Sequence, residues 1–173
     1  DTDVKKRALF QFNTEEGQAL VAEVRLPIAG AYNFRDLGGI KNKDGRFVKW
    51  GQLFRTDEMS KLTEEDVEYI ASTGLTTVID FRSEGEIKGG VTSMIPPSPD
   101  ILPATVKNAY NLPINAGNIF SDEIMNRIRA GATSEELAQV MMNSYTEMVT
   151  LDDYIAQLKQ FFAYLQDLSL IPL

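Results

Sequence analysis

The chain has 173 residues, with 17 basic and 25 acidic side chains and a formal net charge of −8. Hydrophobic residues make up 43% and charged residues 24%, the balance of a globular chain long enough for one core, which excludes wholesale disorder. The excess of negative charge argues against a nucleic-acid-binding surface, and no apolar run approaches the ~20 residues of a membrane helix.

Two zeros restrict the chemistry further: there is no Cys and no His. Without Cys these residues hold no disulfide, no zinc–thiolate site and no thiolate nucleophile. Without His they hold no Ser-His-Asp triad and no imidazole base. Chemistry done by these residues therefore rests on carboxylates, Lys, Arg, hydroxyls or backbone amides, and the reading calls for no metal and no cofactor.

In chain order, Arg7–Asn13 alternates apolar and polar residues, Thr14-Glu-Glu-Gly17 is a turn, and Ala19–Leu26 is a second strand, which together predict an N-terminal β-hairpin. Asn33-Phe-Arg-Asp-Leu-Gly-Gly39 is a polar, glycine-rich loop. Asp44-Gly45 is a hairpin turn signal, and the extended piece from Val48 to Phe54 ends at Arg55. Thr63 with Asp66 approximates a capping box, opening a helix whose inward stripe is Val67, Ile70 and Ala71 and which stops at Gly74. Leu75–Asp80 is β-branched and short, as buried parallel strands are.

Ser83 with Glu86 forms a second capping box. Residues 87–103, rich in Pro and Gly, read as a loop. Ala109–Ile114 is extended and ends or edges a strand at Pro113. Helices are expected over Ser121–Ala130, from Thr133 to about Val149 with a stripe of Leu137, Val140, Met141 and Tyr145, and after a cap of Thr150 with Asp153. The last of these turns Tyr154, Ile155, Leu158, Phe161, Phe162 and Leu165 inward. Leu168–Leu173 reads as a buried strand. The order is that of an α/β domain.

Three constellations could carry chemistry. In the Asn33–Gly39 loop, adjacent glycines permit close backbone approach, and Arg35 and Asp36 either clamp an anion or pair with each other. Asp80-Phe-Arg-Ser83 lies at the carboxyl end of a strand, where α/β sheets bind ligands. There Arg82 offers a phosphate-matching fork and Asp80 an acceptor, or the two simply tie the loop together. Arg55 is a third arginine, at the end of an extended segment; alone it reads first as a solvated or core-rim side chain.

In order and spacing these pieces resemble the N-terminal half of the bacterial tyrosine-protein phosphatases. The carriers are Asn-Phe-Arg-Asp-Leu-Gly-Gly (33–39), Asp-Gly-Arg-x-Val-Lys-x-Gly-x-Leu-Phe-Arg-Thr (44–56), Leu-Thr-x-x-Asp (62–66) and Thr-Val-Ile-Asp-Phe-Arg-Ser-x-x-Glu (77–86). The resemblance runs from about Leu26 to Glu86 and is looser from Ile87 to Leu173. It implies a phosphatase-like α/β fold, a central mostly parallel sheet flanked by helices. Residues 1–27 would form a hairpin extension and 28–173 the first part of the domain.

The resemblance also implies a dual-specificity phosphomonoester hydrolase acting on phosphorylated protein or phosphoinositide. Its cysteine nucleophile would lie in a loop expected just after Leu173, so that the 173 residues alone are inactive. The implied substrate-binding residues are Asn33, Arg35, Asp36, Gly38, Gly39, Arg55, Asp80 and Arg82. The resemblance also implies a general-acid Asp shortly after the Leu112-Pro-Ile114 strand; the first carboxylate there is Asp122, so either Asp122 serves or the acid is an Asp of the loop expected after Leu173.

An initial Asp in place of Met and an apolar last stretch lead to the expectation of a fragment. Its partner would be its own C-terminal half, and export would be favoured over the cytoplasm. The alternative is a pseudophosphatase, a phosphate- or phosphoprotein-binding module without the cysteine.

Overall fold

A computed structural model of the chain describes residues 7–15, 17–89, 96–114, 122–167 and 169–170, without the side chains of 122, 123 and 125. It divides into two compact units. The first comprises Asp1–Thr76, Pro99–Lys107 and Ile171–Leu173, and the second Thr77–Ser98 and Asn108–Leu170.

In the first unit the hairpin is present as β1 (Leu9–Thr14) and β2 (Gly17–Ala22), antiparallel with Leu9 opposite Ala22 and Thr14 opposite Gly17. The second strand is shorter than its apolar run suggests. Beyond Ala22 the chain changes partner: the N–H of Asp36 donates to the Val24 carbonyl (2.8 Å) and that of Leu26 to the Phe34 carbonyl (2.9 Å). Arg35–Asp36 is thus a short strand, β3, which pairs antiparallel with β4 (Phe54–Arg55). The Asp44-Gly45 turn closes as expected. The Asn42 side chain accepts from the N–H groups of Asp44 and Arg46, and Lys41 bridges to Phe47.

Helix α1 (Glu64–Ser72) starts at Thr63, with both arms of the capping box made, and Gly74 follows with φ of +78°, which suits glycine. Leu26, Ile28, Ala31, Phe34, Met59, Leu62 and Ile70 form the core of this unit. Burying a side chain of this size contributes roughly 1.5–3 kcal/mol.

Asp66, only 4% exposed, is the polar anchor of that core. Its carboxylate accepts from the backbone N–H groups of Ala29 (2.8 Å), Gly30 (2.9 Å) and Thr63 (3.0 Å). One side chain therefore caps α1 and fixes the 27–31 segment against it.

In the second unit, β5 (Thr77–Asp80) and β6 (Asn108–Asn111) pair in parallel, Thr77 beside Asn108 and Asp80 beside Asn111. β5 is half-buried along its length rather than fully buried. Pro113 lies just past β6, where it breaks no ladder bond. The second capping box is also made, opening α2 (Glu84–Lys88) at Ser83. Helices α3 (Asp122–Arg129), α4 (Ser134–Thr150) and α5 (Asp152–Gln166) follow. Among the described residues the sheets are three two-stranded pairs, and β5–β6 is the parallel one.

Two helix details depart from expectation. Thr150 does not cap α5: it ends α4, and its hydroxyl donates back to the Thr146 carbonyl (2.9 Å), leaving Leu151 as a cap without a side-chain hydrogen bond. On α4, Met141 and Tyr145 are exposed, while Leu137, Val140 and Met148 are half-buried and Ser144 is buried. The buried stripe thus steps from 140 to 144 instead of through 141. On α5 the expected stripe holds except at Phe162, which is 57% exposed. Tyr164 joins it, stacked on Tyr110 at 4.2 Å, and Phe161 meets Phe81 edge-on at 5.2 Å. The strand expected over 168–173 falls mostly outside the described residues. Ser169 and Leu170 lie in a turn after α5, where the Leu170 carbonyl accepts from the Thr77 hydroxyl (2.8 Å).

Burial pushes the Asp66 carboxyl up, but the N–H groups of Thr63, Ala29 and Gly30 and the Thr63 hydroxyl outweigh it and hold the carboxyl below its ordinary value. A lowered native pKa stabilises the fold above the unfolded value, about 4, and that contribution is lost as pH falls through the native pKa. Asp66→Asn is therefore expected to lower stability at pH 7 by about 2 kcal/mol, since its amide leaves bonded donors facing a donor. It should also flatten the loss of stability below about pH 4. Urea unfolding from pH 2 to 7 measures both; an acid limb identical to wild type would remove Asp66 as its source.

Candidate functional site

In the first unit the Asn33–Gly39 segment is organised around Asp36, whose side chain is fully buried. Oδ1 accepts from the Gly38 N–H (2.7 Å) and Oδ2 from the Gly51 N–H (2.6 Å). Oδ2 also meets Arg7 NH2 at 2.9 Å. The partner of Asp36 is thus Arg7, not the adjacent Arg35. The same Arg7 nitrogen donates to the Glu23 carbonyl (2.9 Å). Arg7 Nε and NH1 are buried without hydrogen bonds among the described residues. The guanidinium lies instead against the rings of Phe54 (5.7 Å) and Trp50 (6.0 Å), whose π-faces favour a cation.

The glycines serve the same packing. A Cβ on Gly38 would come within 2.6 Å of the Trp50 Cα, and one on Gly39, at φ +76°, within 2.5 Å of its ring. The close approach that the glycine pair permits is therefore made by Trp50, whose indole N–H donates to the Leu20 carbonyl (2.9 Å).

Arg35 and Arg55 come together: they are direct cross-strand partners in β3–β4. Arg35 is half-buried and Arg55 exposed. Asn33 is exposed, with its backbone N–H 3.4 Å from Asp57 Oδ1. Sequence reasoning missed Arg7, because nothing local in the first strand marks an arginine as the counter-ion of a residue 29 positions away; a buried Asp beside two glycines was the only clue.

In the second unit Asp80 and Arg82 pair with each other at the end of β5. Arg82 Nε donates to Asp80 Oδ1 (3.0 Å) and Oδ2 (3.1 Å), and NH2 to Oδ2 (2.8 Å). NH1 donates to the Ser98 carbonyl (3.0 Å), and the Arg82 N–H to Asp80 Oδ1 (2.9 Å). Of the two readings of this pair, the geometry is that of a loop tie: the guanidinium fork binds a protein carboxylate and carbonyl.

Nearby, Ser83, Glu84, Pro113, Asp153, Tyr154 and Gln157 line a surface depression of about 480 Å³. Two carboxylates in that lining suit it poorly to an anion. Asp122 is the first residue of α3, and its side chain lies outside the described residues. Among the described residues no three carboxylates gather as a metal site would require.

Both partners of the Asp80–Arg82 pair are about one-fifth exposed, and the contact is multidentate. A double-mutant cycle of Asp80→Ala and Arg82→Ala, followed by urea unfolding, is expected to give a coupling of about 1–3 kcal/mol. Additive effects would show that the tie contributes nothing to the fold.

Comparison with known proteins identifies the family. A curated Cupriavidus necator protein that carries a provisional tyrosine-protein phosphatase name is 31% identical over 116 residues, covering 65% of this chain and 38% of that protein. The chain thus spans under two-fifths of the length of the relative it matches. The sequence pattern of the tyrosine phosphatase family matches residues 26–173, nearly the whole chain after the hairpin, and the chain belongs to that family.

Proposed function

We propose that these residues are the scaffold-bearing part of a phosphomonoester hydrolase whose nucleophile is a cysteine in chain beyond Leu173. The observation that carries the reading is the family match over residues 26–173. The sequence itself holds no Cys, so the thiolate has to come from elsewhere in the polypeptide. In the proposed reaction that thiolate attacks phosphorus, the P–O bond to the alcohol breaks, and the alkoxide takes a proton from an acid, Asp122 or an Asp of the nucleophile loop. Water then cleaves the phosphocysteine to release phosphate and regenerate the thiolate. Backbone N–H groups, an arginine and a helix N-terminus would hold the phosphoryl oxygens.

The candidate residues divide by their geometry. Asp36, Gly38, Gly39, Asp80 and Arg82 are engaged within the protein, so their proposed part is to hold loops in place. Among the described residues the side chains of Asn33, Arg35 and Arg55 are not engaged in this way, and they are proposed to meet substrate. The parallel β5–β6 pair is proposed as part of a larger, mostly parallel central sheet, with residues 28–173 as the first part of the catalytic domain. Phosphorylated protein and phosphoinositide are the proposed substrate classes.

The test compares two polypeptides with p-nitrophenyl phosphate. The 173-residue chain is expected to show no turnover. A longer natural chain containing the cysteine loop should be active and lose about 10³-fold or more on Cys→Ser. Turnover by the 173 residues alone would require non-cysteine chemistry, and a residue other than Cys at the nucleophile position would make the protein a phosphate-binding module.

A further inference from the structure

Arg25, Arg35 and Arg55 form one lateral row. Arg25 bridges Arg35, and Arg35 is paired with Arg55, both antiparallel. The hydrogen bonds flanking the first pair, Asp36 to Val24 and Leu26 to Phe34, make it the close, non-hydrogen-bonded type, with Cα atoms about 4.5 Å apart. The bond from Leu37 to Leu53 makes Asp36–Phe54 a pair of the same type, so Arg35–Arg55 is the wider type, at about 5.5 Å. Directly paired residues share a face, so the three side chains leave the sheet on one side. Phe34 and Asp36 are buried on the opposite face, and Arg25 and Arg55 are exposed.

Like charges in direct cross-strand register repel, so the row disfavours the fold unless something neutralises it. Among the described residues none of the three arginines carries an ion pair, while Arg7, Arg46 and Arg82 each have an aspartate. The nearest carboxylates along the chain do not fill the role. Asp57 meets the Asn33 N–H and the Thr56 hydroxyl, Asp36 is buried on the other face, and Glu23 has no ion pair among the described residues.

We propose that Arg25, Arg35 and Arg55 bind a ligand carrying two or more clustered phosphate groups. Three planar forks across about 10 Å of sheet match several phosphate oxygens at once, and a single phosphate spans only part of the row. The site rests in part on the proposed phosphatase reading, which already gives Arg35 and Arg55 to substrate; strand register and unpaired charge add Arg25 and the clustered phosphates.

The test is calorimetric titration of the 173-residue chain with tripolyphosphate and with orthophosphate in 0.15 M salt, a range in which long-range attraction is screened. Tripolyphosphate is expected to bind at least about tenfold more tightly than orthophosphate. Arg25→Gln, Arg35→Gln and Arg55→Gln should each weaken it about tenfold. Arg46→Gln, which removes an exposed arginine paired with Asp44, should change it less than about twofold.

Arg25→Gln and Arg55→Gln alter exposed side chains, and far-UV circular dichroism identical to wild type shows that their effect is on binding. Inositol 1,4,5-trisphosphate, free and as the headgroup of phosphatidylcholine vesicles carrying its lipid, separates the sources. Equal affinity assigns a soluble ligand and tighter vesicle binding a lipid, and either supports the row. No binding of any polyphosphate, equal binding of orthophosphate, or an equal loss in Arg46→Gln overturns it. Because no turnover is read, loss of this site and loss of the phosphatase reading are distinct results.

Discussion

The Asp36 carboxylate has no contact with water, and the arrangement of the first unit follows from satisfying it. Burying a charge without partners costs far more than one hydrogen bond returns. Its donors come from three separate places in the chain: Gly38 two residues on, Gly51 at the far end of the next loop, and Arg7 before the hairpin. One side chain thus sets the path of residues 37–51 and draws the start of the chain onto β3–β4. Trp50 reinforces the same closure, packed on Gly38 and Gly39 and bonded to the Leu20 carbonyl. Arg7 precedes the family-matched region at 26–173, so a residue outside that region supplies the counter-ion for a motif inside it.

The second unit uses a local version of the same chemistry. Asp80 and Arg82 are two residues apart and satisfy each other at the end of β5, where the chain must leave the sheet. Arg82 then reaches the Ser98 carbonyl, and the Ser98 hydroxyl donates to the Glu86 carbonyl, so residue 98 returns beside α2. Asn111 completes the arrangement, its side-chain amide donating to the carbonyls of Asp80 and Arg82. A strand end held by this many bonds is a rigid place from which to present a loop. That rigidity is what the motif at 80–83 provides directly; contact with a ligand is a further proposal.

What could be read from the sequence divides along the range of the interactions. The two capping boxes at Thr63 and Ser83, the hairpin at 9–22 and the turn at Asp44-Gly45 depend on residues within a few positions of one another, and each is present. Thr150 misled because the same hydroxyl that caps one helix can end the one before it, and a single intervening residue separates α4 from α5. The stripe on α4 was misplaced because Met141 and Ser144 compete for the inward face; hydrophobicity favours the former, whereas packing selects the small Ser144, whose hydroxyl is satisfied by the Val140 carbonyl.

Within the candidate site, the residue types were legible but their partners were not. Arg35 and Asp36 are adjacent, yet strand alternation sends them to opposite faces, so the salt bridge suggested by their proximity cannot form. The buried Asp takes a distant Arg7, and the half-buried Arg35 takes two arginine neighbours.

The net charge of −8 describes the whole surface and says little about any one face. What separates the arginines is register. Arg7 and Arg82 each meet an aspartate and have a structural use that accounts for their positions. Arg25, Arg35 and Arg55 stand where neighbouring strands force like charges together, an arrangement that packing alone would disfavour. A residue that works against local stability without an internal partner is better explained by something bound than by the fold. The bonds between residues 24–36 and 37–53, rather than any count of charges, set Arg25, Arg35 and Arg55 apart from the arginines that hold the fold together.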